Sequence, residues 1–462
     1  MAERNSDRIF RDMPAAQAVA RLAVPTVLGQ IILVIYNMAD TFFIGMAGSD
    51  VKITAVTVCM PAFMFLSAVS NLFGVGAEAV ISRSLGSGHR NRAMAASSFA
   101  FWGCITVTLL YSLGARLLLD PYINILGGRN PAVHSYACTY LLITVVFGGV
   151  AASMNALLAA LFRAEGRSLT ASVGVAAGGL LNIVLDPLFM FVLLPEGNEV
   201  TGAALATALS NFISVVYFLI LLRSIRNHTV ISLGIRSGQY SWSVIRSVLS
   251  AGFPACMMTL LENISYAVLD NLMADCGTQA QAGLGVAKKV NMLAHCMVRG
   301  VTQGVLPLLA YNFAARNYER MRSALKTSML TSVVLASLCL TANMIFARQL
   351  IGIFINHGGD SLYFGARFLR ILCVGGPFSA CAYALISFFQ AVGRGSDSFL
   401  LVILRKGILD IPLMFVFRHR IPLYGIVLAT PVTDVLCCFT AVLLYLHFLR
   451  SVQRKELIIE DN

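Results

Sequence analysis

Residues 29–48 read GQIILVIYNMADTFFIGMAG, a nearly unbroken apolar run interrupted by one carboxylate, Asp40. An ionisable group inside such a run costs several kcal/mol unless it is partnered, and so marks a functional site by default. The rest of the chain has the same character. Of 462 residues, 58% are hydrophobic and only 12% charged, against about 25% charged in an ordinary soluble protein. The apolar residues form long blocks, without the dyad alternation of a membrane β-barrel. The 37 glycines suit close packing between membrane helices. The fold class expected is all-α and integral to a membrane.

Blocks long enough to cross a bilayer lie near 22–46, 53–79, 93–119, 134–161, 169–194 and 201–222, and again near 244–274, 280–310, 324–347, 362–391, 398–417 and 424–449. Twelve spans result. The chain divides into an N-terminal segment (1–21), a first six-span lobe (22–223), a polar connector (224–243), a second lobe (244–449) and a tail (450–462). With the N-terminus inside, Lys and Arg in the connecting segments and at the adjoining span ends divide 21 inside to 6 outside. The positive-inside rule therefore accounts for the net charge of +12 without nucleic acid. It also places both termini in the cytoplasm of a cell whose plasma or inner membrane holds the protein. The N-terminus has no signal-peptide core. The eleven cysteines show no CxxC pairs and read as small buried hydrophobes, and the histidines show no metal-ligand spacing.

The two halves repeat. RSLGSGHRNRAMAAS (83–97) aligns with AYNFAARNYERMRSA (310–324), FRAEGRS (162–168) with FQAVGRG (389–395), and GAALATALSN (202–211) with GIVLATPVTD (425–434), at separations of 223 to 227 positions. Because six spans return the chain to its starting side, the halves share one orientation. Parallel repeats related by an axis along the membrane normal are a transporter architecture, with substrate handled between the halves.

Depth then groups the polar residues. Asp40 lies fifteen residues past Pro25, roughly 22 Å along an outward span, and Asp186 lies eighteen past Ser168, roughly 27 Å along another. Asn182 is one turn before Asp186 on the same face. Thr207 falls in the same outer layer of the sixth span. Two carboxylates with amide and hydroxyl oxygens suit either coordination of a monovalent cation such as Na⁺ or sharing of a proton, since neighbouring carboxylates do not both ionise cheaply. Pro25 removes a helical hydrogen bond and is a candidate hinge. In the second half Glu262, in PACMMTLLENISY (254–266), is intramembrane as well. Lys406 is expected to pair with Asp410 or Asp434, and Glu78 to be solvated or paired with Arg83. Phe and Met are plentiful enough to line an adaptable cavity for flat lipophilic cations. No P-loop or catalytic constellation appears, and the chain does not read as an enzyme.

YNMADTFFIG in span one, ISRSLGSG after span two, LFRAEGR after span four, NIVLDPLF in span five and GAALAT in span six resemble the MATE family, the multidrug and toxic compound extrusion transporters. YNFAARNYERM and FFQAVGRG are similar to the matching second-half motifs. The resemblance runs over essentially all twelve spans. It implies two six-helix lobes around a central cavity. It also implies secondary-active efflux of cationic lipophilic drugs in exchange for Na⁺ or H⁺. The chain is expected to act as a monomer, with no cofactor besides the coupling ion. The family's first-lobe cation site would fall on Asp40, Asn182, Asp186 and Thr207. Glu262 matches the second-lobe acid of one branch, but that branch also places an acid in span ten, and FGARFLRILCVGGPFSACAYALISFFQ (364–390) has none. The coupling site is therefore expected in the first lobe, with Glu262 lining the substrate cavity or joining the coupling. The alternative is a MATE-related flippase for lipid-linked saccharides, which would use arginines such as Arg299, Arg367, Arg370 and Arg405 to hold pyrophosphate.

Overall fold

The computed structural model describes residues 8–46, 48–234, 241–355 and 359–460, so Arg4 and Arg236 of the charge count lie outside the described residues. These are helical throughout, with no strand among them. The helices are α1 (Ala15–Met46), α2 (Asp50–Gly86), α3 (Arg90–Leu117), the short α4 (Leu119–Leu126), α5 (Pro131–Leu141), α6 (Gly149–Ala164), α7 (Ser168–Pro187) and α8 (Glu199–Ser224). The second half has α9 (Trp242–Ala274), α10 (Thr278–Ala314), α11 (Tyr318–Gly352), α12 (Asp360–Val374), α13 (Gly376–Ala391), α14 (Gly395–Ile403), α15 (Asp410–Arg420) and α16 (Tyr424–Glu460).

Nine helices among the described residues are long and apolar enough to cross a membrane by themselves. Two further spans are bent pairs. The segment through α5 to Phe147 meets α6 at 48°, and α12 meets α13 at 45°. Both breaks fall at glycine, Gly148 and Gly375, where the chain changes direction without a Cβ in the way. The twelfth span is α14 and α15, joined by a wide helical turn over Leu404–Ile408. It carries Arg405, Lys406 and Asp410, all buried in protein. Twelve spans in two six-helix lobes are thus present.

The repeat is visible in backbone geometry. After α2, Gly88 is left-handed (φ 74°), its N–H bonds Leu85 O and the N–H of His89 bonds Ser84 O. After α10 the same helix-ending motif recurs with Arg316 (φ 58°), Phe313, Asn317 and Asn312. The turn places Arg316 opposite Gly88, a one-residue shift from the alignment read off the sequence. Gly166 (φ 76°) and Gly393 (φ 83°) form the second matched pair, after α6 and α13.

The lobes meet through two symmetry-related helix pairs, α2 with α9 and α1 with α10. Glycine makes both approaches possible. A Cβ on Gly252 would lie 1.7 Å from Leu72 O, one on Gly76 2.2 Å from Val248 O, and one on Gly304 2.7 Å from Leu22 O. These contacts lie toward the end of the bundle that carries Arg21, Arg83, Arg320 and Arg394, the basic end. The N-terminal segment reinforces the same end. Its α1 starts at Ala15, seven residues earlier than the sequence suggests, and before it Ile9 and Phe10 are buried. Asn312 and Arg320 of the second lobe donate to Phe10 O (3.1 and 2.8 Å), and the Phe10 ring lies against Gly166 of the first. Residues 8–12 therefore strap the two lobes together.

Candidate functional site

In the first lobe α1 and α7 run side by side, and two glycines set their register. Gly29 of α1 packs on Ser172, and Gly179 of α7 packs on Tyr36. Both contacts have the same offset, so four residues beyond Tyr36 the register brings Asp40 level with Ile183, between Asn182 and Asp186. Each of the three polar residues is buried, with Asp186 at 0% exposure. Asn182 Nδ2 donates to Asp186 Oδ1 (3.1 Å). Asp40 and Asp186 act electrostatically on one another, and Tyr36 and Tyr140 feel both. The structure thus brings together three of the four first-lobe residues. Thr207 is buried on α8, where Ser210 and Asn211 donate to its carbonyl within the same helix.

Asp40 Oδ1, Asn182 Oδ1 and Asp186 Oδ2 are buried acceptors without a hydrogen-bond donor among the described residues. Leaving a buried polar atom unpaired costs about 1–3 kcal/mol. Three such oxygens in one layer form an acceptor set that suits a small cation or protons. Tyr36 and Tyr140 were missed in the sequence, although Tyr36 sits one helical turn before Asp40 on the same face.

Pro25 lies inside α1, which runs through it unbroken. Below and around it α1 is clamped: Gly304 abuts Leu22 and Thr26, and Gly300 abuts Val27. The part of α1 bearing Asp40 extends beyond that clamp.

The second lobe treats its charges differently. Glu262 of α9 receives Arg299 Nη2, and Tyr383 donates to its other oxygen (3.3 Å). The Arg405 guanidinium lies 4.3 Å from the Tyr383 ring centroid and its Nε donates to Asp434 (2.7 Å). Lys406 pairs with Asp410 (2.8 Å), which also accepts from Ser265 and Thr430. Lys406 therefore pairs with Asp410 and leaves Asp434 to Arg405. Every one of these carboxylates has a built-in cation. Glu78 corrects an expectation: it pairs with Arg163 (3.4 Å), while Arg83 donates to the carbonyls of Gln390 and Ala391 across the lobe interface. Glu78 and Arg83 are five residues apart on one helix and point to different sides.

A cavity of about 70 Å³ lies between the lobes, lined by Asn71, Glu78, Thr259, Arg299, Gln303 and Tyr383 among others. Asn71 Nδ2 donates to Thr259 Oγ1 (2.9 Å) and Gln30 Nε2 to Gln303 Oε1 (3.3 Å), both from the first lobe to the second. Glu262 lies behind this lining, held by Arg299 and Tyr383.

Two internally repeated helical lobes, spanning a membrane and meeting at a polar cavity, define a transporter fold. The MatE family model matches residues 25–188 and again 254–416, one match in each lobe. The chain belongs to the MatE family and is a multi-pass membrane protein. It is similar to the multidrug export protein MepA of Staphylococcus aureus strain MSSA476, 28% identical over 453 residues covering 97% of this chain and 98% of that one. MepA of Staphylococcus saprophyticus is 27% identical over 454 residues, with the same coverage. Among solved structures, an outward-facing multidrug resistance MATE transporter of the MOP superfamily superposes with a TM-score of 0.90, at 21% identity, over 97% of this chain and 98% of that chain.

Proposed function

We propose that this protein is a secondary-active antiporter that exports cationic lipophilic compounds, multidrug substrates in the manner of MepA's name, in exchange for Na⁺ or H⁺. The observation that carries the proposal is the first-lobe acceptor set. Asp40 and Asp186 are buried together with no basic partner among the described residues, and leave unpaired oxygens there on both residues and on Asn182. A site of that kind favours a cation from outside the protein, either Na⁺ on the oxygens or a proton held between the carboxylates.

Occupancy of this site and substrate in the cavity are to disfavour one another, which is the thermodynamic requirement for exchange. Pro25 is the hinge: neutralising the charge at Asp40 bends α1 at Pro25 and loosens the contacts of Gly300 and Gly304 on Leu22, Thr26 and Val27 that hold it straight here. The glycine contacts at the basic end correspond to a state closed to the cytoplasm, with both termini on that side. The chain works as a monomer, since residues of both lobes of one chain line the cavity. Glu262 lends its charge to the cavity wall through Arg299 rather than binding the coupling ion.

The flippase reading finds less support. Arg299 and Arg405 are committed to Glu262 and Asp434, Arg367 stacks on Tyr363 and Tyr424, and Arg370 donates to Met344 O. Purified protein in proteoliposomes, given an inward Na⁺ or H⁺ gradient separately, is expected to drive ethidium transport with one of the two. Movement of no cationic drug under either gradient, with a lipid-linked pyrophosphate moving instead, would reverse the assignment.

A further inference from the structure

At the end of the first lobe away from the basic end, three residues of different chemistry converge. Asp120 stands in the first turn of α4, and His134 and Cys138 are one turn apart on α5. The carboxylate, imidazole and thiol ligand atoms all lie within 4.8 Å of one another. His134 Nε2 is 3.0 Å from Asp120 Oδ1, and Cys138 Sγ is 3.9 Å from the same oxygen.

The hydrogen bonding around His134 makes this more than proximity. Its Nδ1 is 3.1 Å from Gly128 O, and a carbonyl only accepts, so the Nδ1 proton is fixed there. Nε2 of the neutral ring then presents its lone pair, which faces a carboxylate oxygen. That contact is stable only with a positive charge between the two atoms, a second ring proton or a metal ion. A carbonyl that fixes the far nitrogen is the usual support of a metal-bound histidine. The loop that supplies the carbonyl is itself well held. Gly127 is left-handed (φ 108°), Gly128 N–H bonds Ile123 O (2.9 Å), and Asn130 caps α5 by accepting from Ala132 N–H (3.0 Å).

Cys138 decides between proton and metal. An imidazolium–carboxylate pair has no use for a thiol, whereas a tetrahedral ion does. With bonds near 2.0–2.3 Å, tetrahedral ligands sit about 3.3–3.8 Å apart, close to the separations found. One oxygen, one nitrogen and one sulfur exclude the all-oxygen preference of Mg²⁺ and Ca²⁺ and fit Zn²⁺. We propose that Asp120, His134 and Cys138 form a zinc site with three protein ligands and one position open to water. Asp120 is 76% exposed, which leaves an entry path. The thiol would lose its proton to solvent on binding. The bound ion would bolt α4 to α5 across the Gly127–Asn130 loop.

The test uses the full chain in detergent micelles, kept reduced, titrated with Zn²⁺ and separately with Co²⁺ as a spectroscopic probe. One ion per chain is expected, with a thiolate-to-cobalt charge-transfer band. Cys138→Ser should abolish the band, and Cys138→Ser, His134→Ala and the surface variant Asp120→Asn should each weaken Zn²⁺ binding at least tenfold. Cys276→Ser, a cysteine outside the cluster, should change neither. Absence of stoichiometric binding, or binding equal in all variants that elute as folded protein, would overturn the proposal.

Discussion

The first lobe buries Asp40 and Asp186 beside an asparagine and two tyrosines, with no basic side chain paired to either among the described residues. The second buries Asp410 and Asp434, half-buries Glu262, and gives each its own cation in Lys406, Arg405 and Arg299. Both lobes come from one repeat, so the difference is a choice made on a shared frame. A compensated carboxylate has no charge left for a passing ion, and breaking its pair leaves a bare charge in the interior. An uncompensated carboxylate is costly by itself and gains from whatever cation arrives. The uncompensated arrangement of the first lobe suits exchange of ions and the compensated one of the second suits structure.

The largest consequence of that contrast concerns stability. Arg405→Met strands Asp434, and loss of one partner of a buried pair costs about 3–5 kcal/mol. Thermal unfolding in detergent should show a large drop for Arg405→Met and recovery in Arg405→Met/Asp434→Leu. Asp40→Asn strands no cation and should unfold within about 1 kcal/mol of wild type. Equal destabilisation by Asp40→Asn and Arg405→Met would erase the distinction between the lobes.

Next in size is the interface the lobes share. Gly252→Leu forces a side chain into the Leu72 carbonyl, and overpacking of this kind costs about 1–3 kcal/mol. Disulfide trapping between α2 and α9 near the basic end should fall accordingly, while trapping within the first lobe stays unchanged. The smallest effect is expected at Asn182. Asn182→Leu removes one hydrogen bond to Asp186, about 1 kcal/mol, together with one acceptor oxygen. Half-maximal coupling should then require several-fold more of the driving ion, with stability lowered by only about that 1 kcal/mol.

The first-lobe acids were legible in the sequence because depth along a helix is simple arithmetic. Asp40 and Asp186 stand out in apolar runs, and counting 1.5 Å per residue places both in one layer. Span eleven was legible as a position but not as a structure. Its Lys406 is expected beside Asp410 or Asp434, but which acid it takes, and that Arg405 holds the other, depends on how spans eleven and twelve pack. Tyr140, the Glu78–Arg163 pair and the strap at Phe10 depend on which helix lies next door, and no local pattern carries that information. The Asp120, His134 and Cys138 cluster was not read from the sequence, where the histidines gave no metal-ligand spacing. His134 and Cys138 are spaced one turn apart, but Asp120 joins them only through the turn at Gly127. The glycine breaks at Gly148 and Gly375 sit within apolar runs that pattern alone reads as continuous.

The central claim is that coupling belongs to the first lobe. It is tested most directly by ethidium efflux from proteoliposomes under an imposed gradient of the driving ion, comparing Asp40→Asn with the charge-balanced Glu262→Gln/Arg299→Gln. The account predicts that Asp40→Asn loses the gradient-driven component by at least tenfold while the second-lobe double variant keeps its response to the gradient, whatever its affinity for ethidium. Undiminished gradient-driven efflux in Asp40→Asn, with the response lost in the double variant, would contradict it.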